Sequence, residues 1–305
     1  MSTLFHIFNS IQNTLFPWLE EALDPLSEKE QKFVQVLSLM DLETHMKAYR
    51  WKGKGRKRKN RLSMAKAFVA KAIYNFETTD ILIDYLRGCK NIRRLCGWEN
   101  PWQVPSKSTF SRAFAQFSEG NLTQDIHEAM VKEHCGEKLA GHISRDSTAI
   151  AAREKPAKKK SDDSVAQPKR KPGRPRKEEV VAPKPPKRLD LQPTKSLEDN
   201  LKDLPTQCDV GTKKNSKGYK ESWTGYKLHL DCIDGDIPVS TVLTSASLHD
   251  SQAAIPLSQM SQERITNLYD LMDSAYDAPQ IHSFSEKLGH KPIIDHNPRR
   301  GEKIY

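Results

Sequence analysis

Cysteine is scarce in this sequence, and no two cysteines are spaced as a metal-binding or redox pair. The 305 residues include five cysteines: Cys89, Cys96, Cys135, Cys208 and Cys232. None of them forms the two-residue spacing of a zinc knuckle or a thioredoxin-like motif, and an odd count excludes a fully paired disulfide framework. We therefore expect reduced thiols, as in cytosolic proteins.

Long apolar runs are missing as well. Hydrophobic residues make up 36% of the chain and the mean hydropathy is −0.71. No run approaches the roughly 20 residues that a membrane-spanning helix needs. The first 23 residues are amphipathic, but they lack the basic leading region of a secretion signal. These absences predict a cytoplasmic protein that makes no use of a membrane.

Acidic residues are too few to balance the basic ones. The chain has 49 Lys or Arg against 39 Asp or Glu, so its net charge is +10 and its pI is about 9.2. Between residues 151 and 190 there are 14 basic residues against six acidic ones. A second cluster consists of Lys52, Lys54, Arg56, Lys57, Arg58, Lys59 and Arg61. Localised positive charge favours a polyanionic partner, with nucleic acid first and an anionic membrane second.

The first 140 residues have the periodicity of helices. Apolar residues recur at helical spacing in two stretches, 33–40 and 62–73. Thr78 and Ser106 are placed as helix caps before further amphipathic segments. We therefore expect a helical domain over residues 1–140.

The pattern changes to strands after residue 141. Residues 143–150 resemble a strand, residues 226–233 alternate as a half-buried strand, and Asp234-Gly235-Asp236 forms a hairpin turn before a returning strand. Between the first two strands lies a basic, Pro-rich stretch with almost no large apolar residues, so we expect a disordered insertion over residues 151–218.

The remaining elements complete a mixed order of strands and helices. A helix begins near Ser251, a fourth strand covers 268–272, a helix covers 278–288, and a fifth strand covers 292–294. The order β, β, β, α, β, α, β is that of a ribonuclease-H-like fold. The predicted fold class is α+β, with the helical domain followed by a mixed-sheet domain over residues 141–305.

Two aspartates are placed for metal-dependent chemistry. Asp146 lies in the first predicted strand and Asp273 directly after the fourth. In the predicted strand order these strands are neighbours, so the two carboxylates would converge. Two close carboxylates repel each other unless a hard cation binds them, and Mg²⁺ favours one or two carboxylates together with a substrate phosphate. The alternative for either aspartate is a turn or a helix cap.

Several motifs resemble those of a known family. The segments Arg145-Asp146-Ser147-Thr148 and Thr244 to Ser251, and the block from Asp273 to Arg300, resemble the catalytic core of bacterial insertion-sequence transposases of the DDE type. Residues 87–97 and 105–112 are similar to the helical domain that precedes this core. The resemblance implies a ribonuclease-H-like fold, with Asp146 and Asp273 as the first two catalytic acids. It also implies two Mg²⁺ or Mn²⁺ ions, a nucleoid-associated bacterial protein and a homo-oligomer.

The third acid of that family is a glutamate on a helix after the fifth strand. In this sequence only Glu302 follows that strand, and it falls in the expected loop. The resemblance therefore predicts an incomplete ribonuclease-H-like domain in a truncated or frame-split transposase.

A basic motif within the insertion resembles an AT-hook. Its residues are Arg170-Lys171-Pro172-Gly173-Arg174-Pro175-Arg176-Lys177. Flanking prolines favour an extended backbone, and Arg174 suits the narrow, negative minor groove of A·T-rich DNA. Lys171 and Arg176 would support it. The alternative is a basic linker that binds phosphates without preference.

Other basic residues are candidates for DNA contacts. The segment 78–116 could be a helix-turn-helix-like reader that places Lys107 and Arg112 at the DNA, although an ordinary face of a helical bundle explains it equally well. Arg56 and Arg58 could clamp phosphates. Arg299 and Arg300 follow the last predicted strand, where phosphate contact is plausible.

The sequence leaves three hypotheses open. The first is a DNA transposase that binds element ends and A·T-rich DNA, then hydrolyses a phosphodiester and transfers the strand. The second is a catalytically inactive, truncated transposase that acts only as a DNA-binding protein or regulator. The third is a nuclease on the same fold, which would share the site and lack strand transfer.

Overall fold

The computed structural model describes residues 25–51, 53, 55, 58–157, 186–214 and 217–297. The chain divides into two compact units, Met1–Cys135 and Gly136–Tyr305. This division lies close to the boundary at residue 140 that the sequence predicts. Each unit is described by itself below.

The first unit is built from helices. They are α1 (Glu28–Met40), α2 (Leu42–His45), α3 (Arg61–Ile73), α4 (Thr79–Gly88), α5 (Lys90–Leu95), α6 (Lys107–Glu119) and α7 (Leu122–Cys135), with 3₁₀ turns at Met46–Tyr49 and Pro101–Gln103. Capping side chains start three of them, and Asn60 accepts a hydrogen bond from the Leu62 backbone N–H at α3. Ser27 and Glu30 form a reciprocal capping box before α1, and Thr78 accepts a hydrogen bond from the Ile81 backbone N–H at α4.

A single apolar core holds these helices together. Phe33 of α1, Met64 of α3, Leu82 of α4, Ile92 of α5 and Phe110 of α6 are all fully buried in it. Each helix contributes one apolar stripe, as the helical periodicity of the sequence predicts. The predicted helical character of this part of the chain is confirmed for the residues from 25 onward that are described.

The second unit combines strands with helices. Its strands are β1 (Leu139–Ala151), β2 (Asp209–Lys214), β3 (Lys220–Ile233), β4 (Ile237–Ser245), β5 (Thr266–Met272) and β6 (Lys291–Ile294). Its helices are α8 (Arg188–Leu191), α9 (Leu197–Asp203), α10 (Ser251–Gln262) and α11 (Pro279–Lys287), with 3₁₀ turns at Gln192–Thr194 and Ser274–Tyr276.

The strands form one mixed sheet in which β1 is central. Its order is β2-β3-β1-β5-β6, and β4 also pairs with β3. β1 is antiparallel to β3 and parallel to β5, and β5 is parallel to β6. The sequence predicted that the strand with Asp146 lies beside the strand that precedes Asp273. The pairing of β1 with β5 confirms this prediction.

The predicted disorder across residues 151–218 is wrong for residues 186–214. These residues form α8, α9 and β2, and β2 pairs with the first half of β3. The physical reason is a set of leucines with helical spacing that the basic composition obscures. Leu204 is buried against α10 and β4, with Leu197 and Leu201 packed beside it, and Leu189 packs on a neighbouring apolar cluster.

Two predicted absences can be compared with this structure. All five cysteines are free thiols, as expected. Within the described ranges, no helix is long and apolar enough to cross a membrane.

Candidate active site

Asp146 lies on β1, at an exposed position between two more buried ones. Arg145 is buried and Ser147 is half-buried, so the alternation of the strand turns the Asp146 side chain outward. Its Oδ1 accepts a hydrogen bond from the Ser147 backbone N–H at 2.6 Å. Its second carboxylate oxygen is not engaged by this contact, which is the arrangement that a metal ligand requires.

Asp273 follows β5 directly, and the register of the sheet brings it beside Asp146. Arg145 of β1 pairs with Met272 of β5 in the parallel ladder, so both aspartates come one residue after that pair. Asp273 also starts the 3₁₀ turn at 274–276, because its Oδ1 accepts the Ala275 backbone N–H at 2.9 Å. This is the capping role that the sequence left open, and one carboxylate can both cap and bind a cation.

Three other carboxylates act on the pKa of Asp273. Burial raises the pKa of Asp273 above its usual value, and the neighbouring carboxylates of Asp146, Asp250 and Asp295 raise it further, against the lowering effect of the Ala275 N–H. Each of these charges disfavours ionisation of Asp273. A site of this kind gains stability when a cation binds.

Asp250 is an acid of the site whose role the sequence did not reveal. It directly precedes α10, but its side chain forms no capping hydrogen bond there. Its Oδ1 instead accepts the Lys227 ammonium at 2.9 Å and the Ser147 hydroxyl at 3.0 Å. Lys227 also donates to the Leu248 carbonyl at 2.8 Å. This ion pair links β3 and the start of α10 to the residue that follows Asp146.

A buried ion pair lies beneath the exposed acids. Arg145 donates to both carboxylate oxygens of Asp231, at 2.7 and 2.8 Å, and the two side chains are almost completely buried. The Ser261 hydroxyl donates to Asp231 at 2.7 Å. Burial opposes the charge of Arg145, yet the pKa of the guanidinium is raised, chiefly by the Asp231 carboxylate and further by Asp270 and Tyr276. The pair therefore anchors β1 to β3 at the residue before Asp146.

His229 and Tyr276 are fully buried beside this network. The His229 Nε2 lies 2.9 Å from the Thr244 hydroxyl, and its Nδ1 lies 3.8 Å from Asp250. Burial lowers the pKa of His229 to about 4, although Asp250 opposes the shift, so the ring is neutral near pH 7. Burial raises the pKa of the Tyr276 hydroxyl, and the Asp250 carboxylate raises it further. Neither ring brings a charge to the acids.

Asp277 ties the loop after β6 to the turn after β5. Its Oδ2 accepts the Asn297 backbone N–H at 2.9 Å, and its Oδ1 lies 3.1 Å from the His282 Nε2. The Asn297 N–H and then His282 lower the pKa of Asp277. A second contact, from the Asp295 N–H to the Met272 carbonyl, joins the same loop to the end of β5. Together these bonds keep Asp295 near Asp273.

The donor set fits a hard divalent cation. Asp146 and Asp273 offer oxygen ligands, and the neighbouring carboxylates add to the effect of burial in raising the pKa of Asp273. Within the described part of the chain, no three His, Cys, Asp or Glu side chains form a ready metal-binding group. Two carboxylates suit an ion such as Mg²⁺, which takes its other ligands from water and substrate phosphate.

The predicted DNA-binding residues fall into three groups. Arg58 and Arg112, which are far apart in the sequence, line one cleft of the helical unit. Lys107 forms an exposed ion pair with Asp80, with 2.5 Å between Nζ and Oδ2. The others lie outside the described residues: Arg56, Lys171, Arg174, Arg176, Arg299 and Arg300, together with Glu302.

Comparison with known proteins places the chain in a family. Residues 142–304, more than half of the chain, match the family described as Transposase DDE domain. Residues 21–116 match the family described as Transposase domain (DUF772). No curated protein and no solved structure matches the chain at a significant level. The chain belongs to the DDE-domain transposases of insertion sequences, as the resemblance in its sequence motifs indicated.

Proposed function

We propose that this protein is a DNA transposase that cuts DNA at the ends of its element and joins the freed ends to target DNA. The observation that carries the proposal is the parallel pairing of β1 and β5, which places Asp146 and Asp273 side by side within the region that matches the DDE domain. β4 pairs with β3, β3 is antiparallel to β1, and β1 is followed across the sheet by β5 and β6. This arrangement of five strands supports a ribonuclease-H-like catalytic domain. The family matches do not favour the non-catalytic alternative.

Asp146 and Asp273 would hold the divalent cations, either Mg²⁺ or Mn²⁺. When bound, such ions supply an activated water and stabilise the charge on the phosphate. Asp250 would compete for them less than these two acids, because its charge is paired with the Lys227 ammonium at 2.9 Å. The Lys227–Asp250 pair and the Arg145–Asp231 pair position the strand residues on either side of Asp146.

The chemistry consists of two exchanges at phosphorus. In the first, water attacks a phosphodiester, the bond between phosphorus and the 3′ oxygen breaks, and the water proton ends on the leaving oxygen to give a 3′-hydroxyl. In the second, that hydroxyl loses its proton and attacks a phosphodiester of the target DNA. The bond between the target phosphorus and its 3′ oxygen breaks, and the leaving 3′ oxygen takes up a proton. A nuclease would perform only the first exchange, so strand transfer separates the two functions.

The helical unit and the basic insertion would bind double-stranded DNA. The charge of +10 supports this role, as does the cleft that contains Arg58 and Arg112. The AT-hook-like residues Lys171, Arg174 and Arg176 remain a sequence prediction, as do Arg56, Arg299 and Arg300. Because a transposase must bring two element ends together, we further propose that the protein acts as a homo-oligomer.

Metal-dependent cleavage by the full chain tests the proposal. The substrate is a supercoiled plasmid that carries the flanking sequences of the element, and nicking and joining are followed with Mg²⁺, with Mn²⁺ and with a chelator. Asp146→Asn and Asp273→Asn should each reduce nicking by about a hundredfold or more, because a metal site supplies several kcal/mol to the transition state. The matched control is Asp234→Asn, since Asp234 is an exposed acid in the β3–β4 hairpin.

A change of ligand type separates metal binding from structural support. Asp273→Cys should recover more activity with Mn²⁺ than with Mg²⁺, because the softer sulfur ligand is poorly suited to Mg²⁺. Wild-type nicking by the Asp146 and Asp273 variants would contradict the assignment of the site. Binding without any nicking by the wild-type chain would leave only the DNA-binding alternative, and nicking without joining would leave the nuclease.

A further inference from the structure

The helical unit contains a polar cleft between the start of α3 and one face of α6. Its volume is about 1160 Å³, and its lining includes Arg58, Lys59, Arg61, Arg112, Gln116 and Glu119. The residues from α6 are spaced by three and four positions, so they share one face of that helix. Two segments that lie about 50 residues apart in the sequence therefore build a single concave surface.

This cleft concentrates positive charge. Four of its lining side chains are cationic, and Glu119 is the one acidic residue among those described there. The hydrogen bonds of the arginines go to neutral partners. Arg61 donates to the Gln116 side chain at 2.8 Å and Arg112 to the Thr109 hydroxyl at 3.4 Å. Their charges are thus available to a ligand.

The arginines also repel one another. Burial lowers the pKa of Arg61, and the guanidinium groups of Arg58 and Arg112 lower it further. An anion bound between these side chains would relieve the repulsion and accept charge-assisted hydrogen bonds. By contrast, Lys107 on the same helix already has an acidic partner in Asp80.

The lining indicates which part of a nucleic acid would bind. Among the described lining residues none is aromatic, and aromatic side chains are what single-stranded bases stack on. Guanidinium, hydroxyl and amide groups instead match phosphate oxygens, which contact proteins without regard to sequence. The cleft is therefore suited to the DNA backbone.

We propose that the cleft formed by Arg58, Arg61 and Arg112 binds the phosphate backbone of duplex DNA, independently of base sequence. The inference rests on the proposed function, because it names the surface with which the transposase holds DNA. It joins Arg61, which the sequence shows only as part of the basic cluster from Lys52 to Arg61, to Arg112 of α6. It also separates Arg112 from Lys107, which the sequence had grouped together. Binding here would hold the duplex in register and leave sequence recognition to other residues.

Salt-dependent DNA binding by the full chain tests this surface. Binding to A·T-rich and G·C-rich duplexes is measured by fluorescence anisotropy as salt is raised. Arg58→Gln and Arg112→Gln should each weaken binding by about tenfold and reduce the slope of log K against log salt by about one, equally on both duplexes. Arg58 and Arg112 are exposed, so these variants should fold even if Arg61→Gln does not.

Lys132→Gln is the matched control. It removes one positive charge from α7 outside the cleft, where Lys132 is paired with Glu128. This variant should keep the wild-type affinity and salt slope. Inorganic pyrophosphate serves as a free anion, and its effect on the melting temperature is measured for each variant.

Three results would overturn the proposal. The first is wild-type DNA affinity and salt slope in Arg58→Gln and Arg112→Gln. The second is a loss of affinity in these variants for only one of the two duplexes. The third is that these variants are no longer stabilised by pyrophosphate but bind DNA as the wild type does. The last result would identify a site for a small free anion. Failure of the proposed function has a different signature: a chain that needs these arginines to bind DNA but never nicks it supports the cleft and refutes the catalysis.

Discussion

At the scale of single residues, the ion pair between Arg145 and Asp231 is the most consequential contact near the candidate site. Both side chains are buried, and the guanidinium contacts both carboxylate oxygens. Such a pair costs desolvation energy to form, so its net contribution to stability is small. Removal of one partner, however, leaves an uncompensated buried charge.

We therefore expect Asp231→Ala to lower the free energy of unfolding by about 3–5 kcal/mol. Asp234→Ala is the control, because Asp234 pairs with His142 at the surface and should cost at most about 1 kcal/mol. Chemical denaturation of both variants measures the difference. Equal small losses would show that the buried pair does not anchor β1.

His229 makes the stability of this unit depend on pH. The pKa of the folded ring is about 4, below its ordinary value of 6.5, because burial favours the neutral form. The free energy of unfolding therefore decreases as the pH falls from 6.5 towards 4, because in this range the unfolded ring binds a proton and the folded ring does not. At pH values above this window the ring is neutral in both states and contributes no pH dependence.

We expect His229→Gln to flatten the loss of stability between pH 6.5 and about 4. The unfolding free energies of the wild-type protein and the variant are compared across this range, with a pH above 7.5 as the internal reference where their difference should be constant. Parallel curves through the acidic window would contradict a neutral buried ring.

At the scale of elements, the ends of β5 and β6 form one connected unit with the turns that follow them. Asp277 receives the Asn297 N–H and contacts His282, and the Asp295 N–H bonds to the Met272 carbonyl. Since Asp295 also acts on the pKa of Asp273, the position of this loop affects the charge at the candidate site.

We expect Asp277→Ala to release the loop after β6. Loss of one hydrogen bond to a charged acceptor should speed amide exchange at Asn297 by about tenfold or more. Hydrogen exchange with peptide-level resolution measures it, and Asp295→Ala serves as the comparison because the Asp295 contact uses only its backbone N–H. Unchanged protection in Asp277→Ala would exclude this link.

At the scale of the whole molecule, the helical unit has its own core. The seven helices described for it contribute to one apolar cluster that contains Phe33, Met64 and Phe110, all fully buried. A cluster of this size in a unit of 135 residues is sufficient for independent folding.

We expect the fragment 1–135 to fold alone and to unfold in one cooperative transition. Phe110→Ala should destabilise it by about 3–5 kcal/mol, because it leaves a cavity in the core. Phe114→Ala is the matched control, since 61% of the Phe114 surface is exposed. Circular dichroism during thermal unfolding measures both, and a broad transition in the wild-type fragment would refute an independent core.

Local patterns were sufficient to predict much of the fold. The amphipathic segment that follows Ser106 predicts α6, and the Asp234-Gly235-Asp236 turn predicts the hairpin of β3 and β4. These features follow from neighbours in the chain, because helical periodicity and turn geometry are local properties. The same reasoning failed for residues 186–214, where a few leucines matter more than the surrounding charge.

The candidate site was predictable only in part. Asp146 and Asp273 were identified because each ends or interrupts an apolar run and lies in a motif that resembles the family. Lys227 and Asp231 have no such local signal. Asp250 lies in a segment that resembles the family, but nothing local indicates its contact with Lys227. Their roles arise from pairings between strands and a helix start that lie up to about 100 residues apart in the sequence.

The sequence by itself determined the helical and mixed-sheet organisation, the positive charge and the two aspartates, because composition, periodicity and motif are properties of adjacent residues. Only the tertiary structure decided which charges meet. The register of β1 with β5 brings Asp273 beside Asp146, and the packing of α3 against α6 turns Arg58, Arg61 and Arg112 into one cleft. The electrostatic interaction of two groups depends on their distance in space, which the order of residues along the chain does not specify.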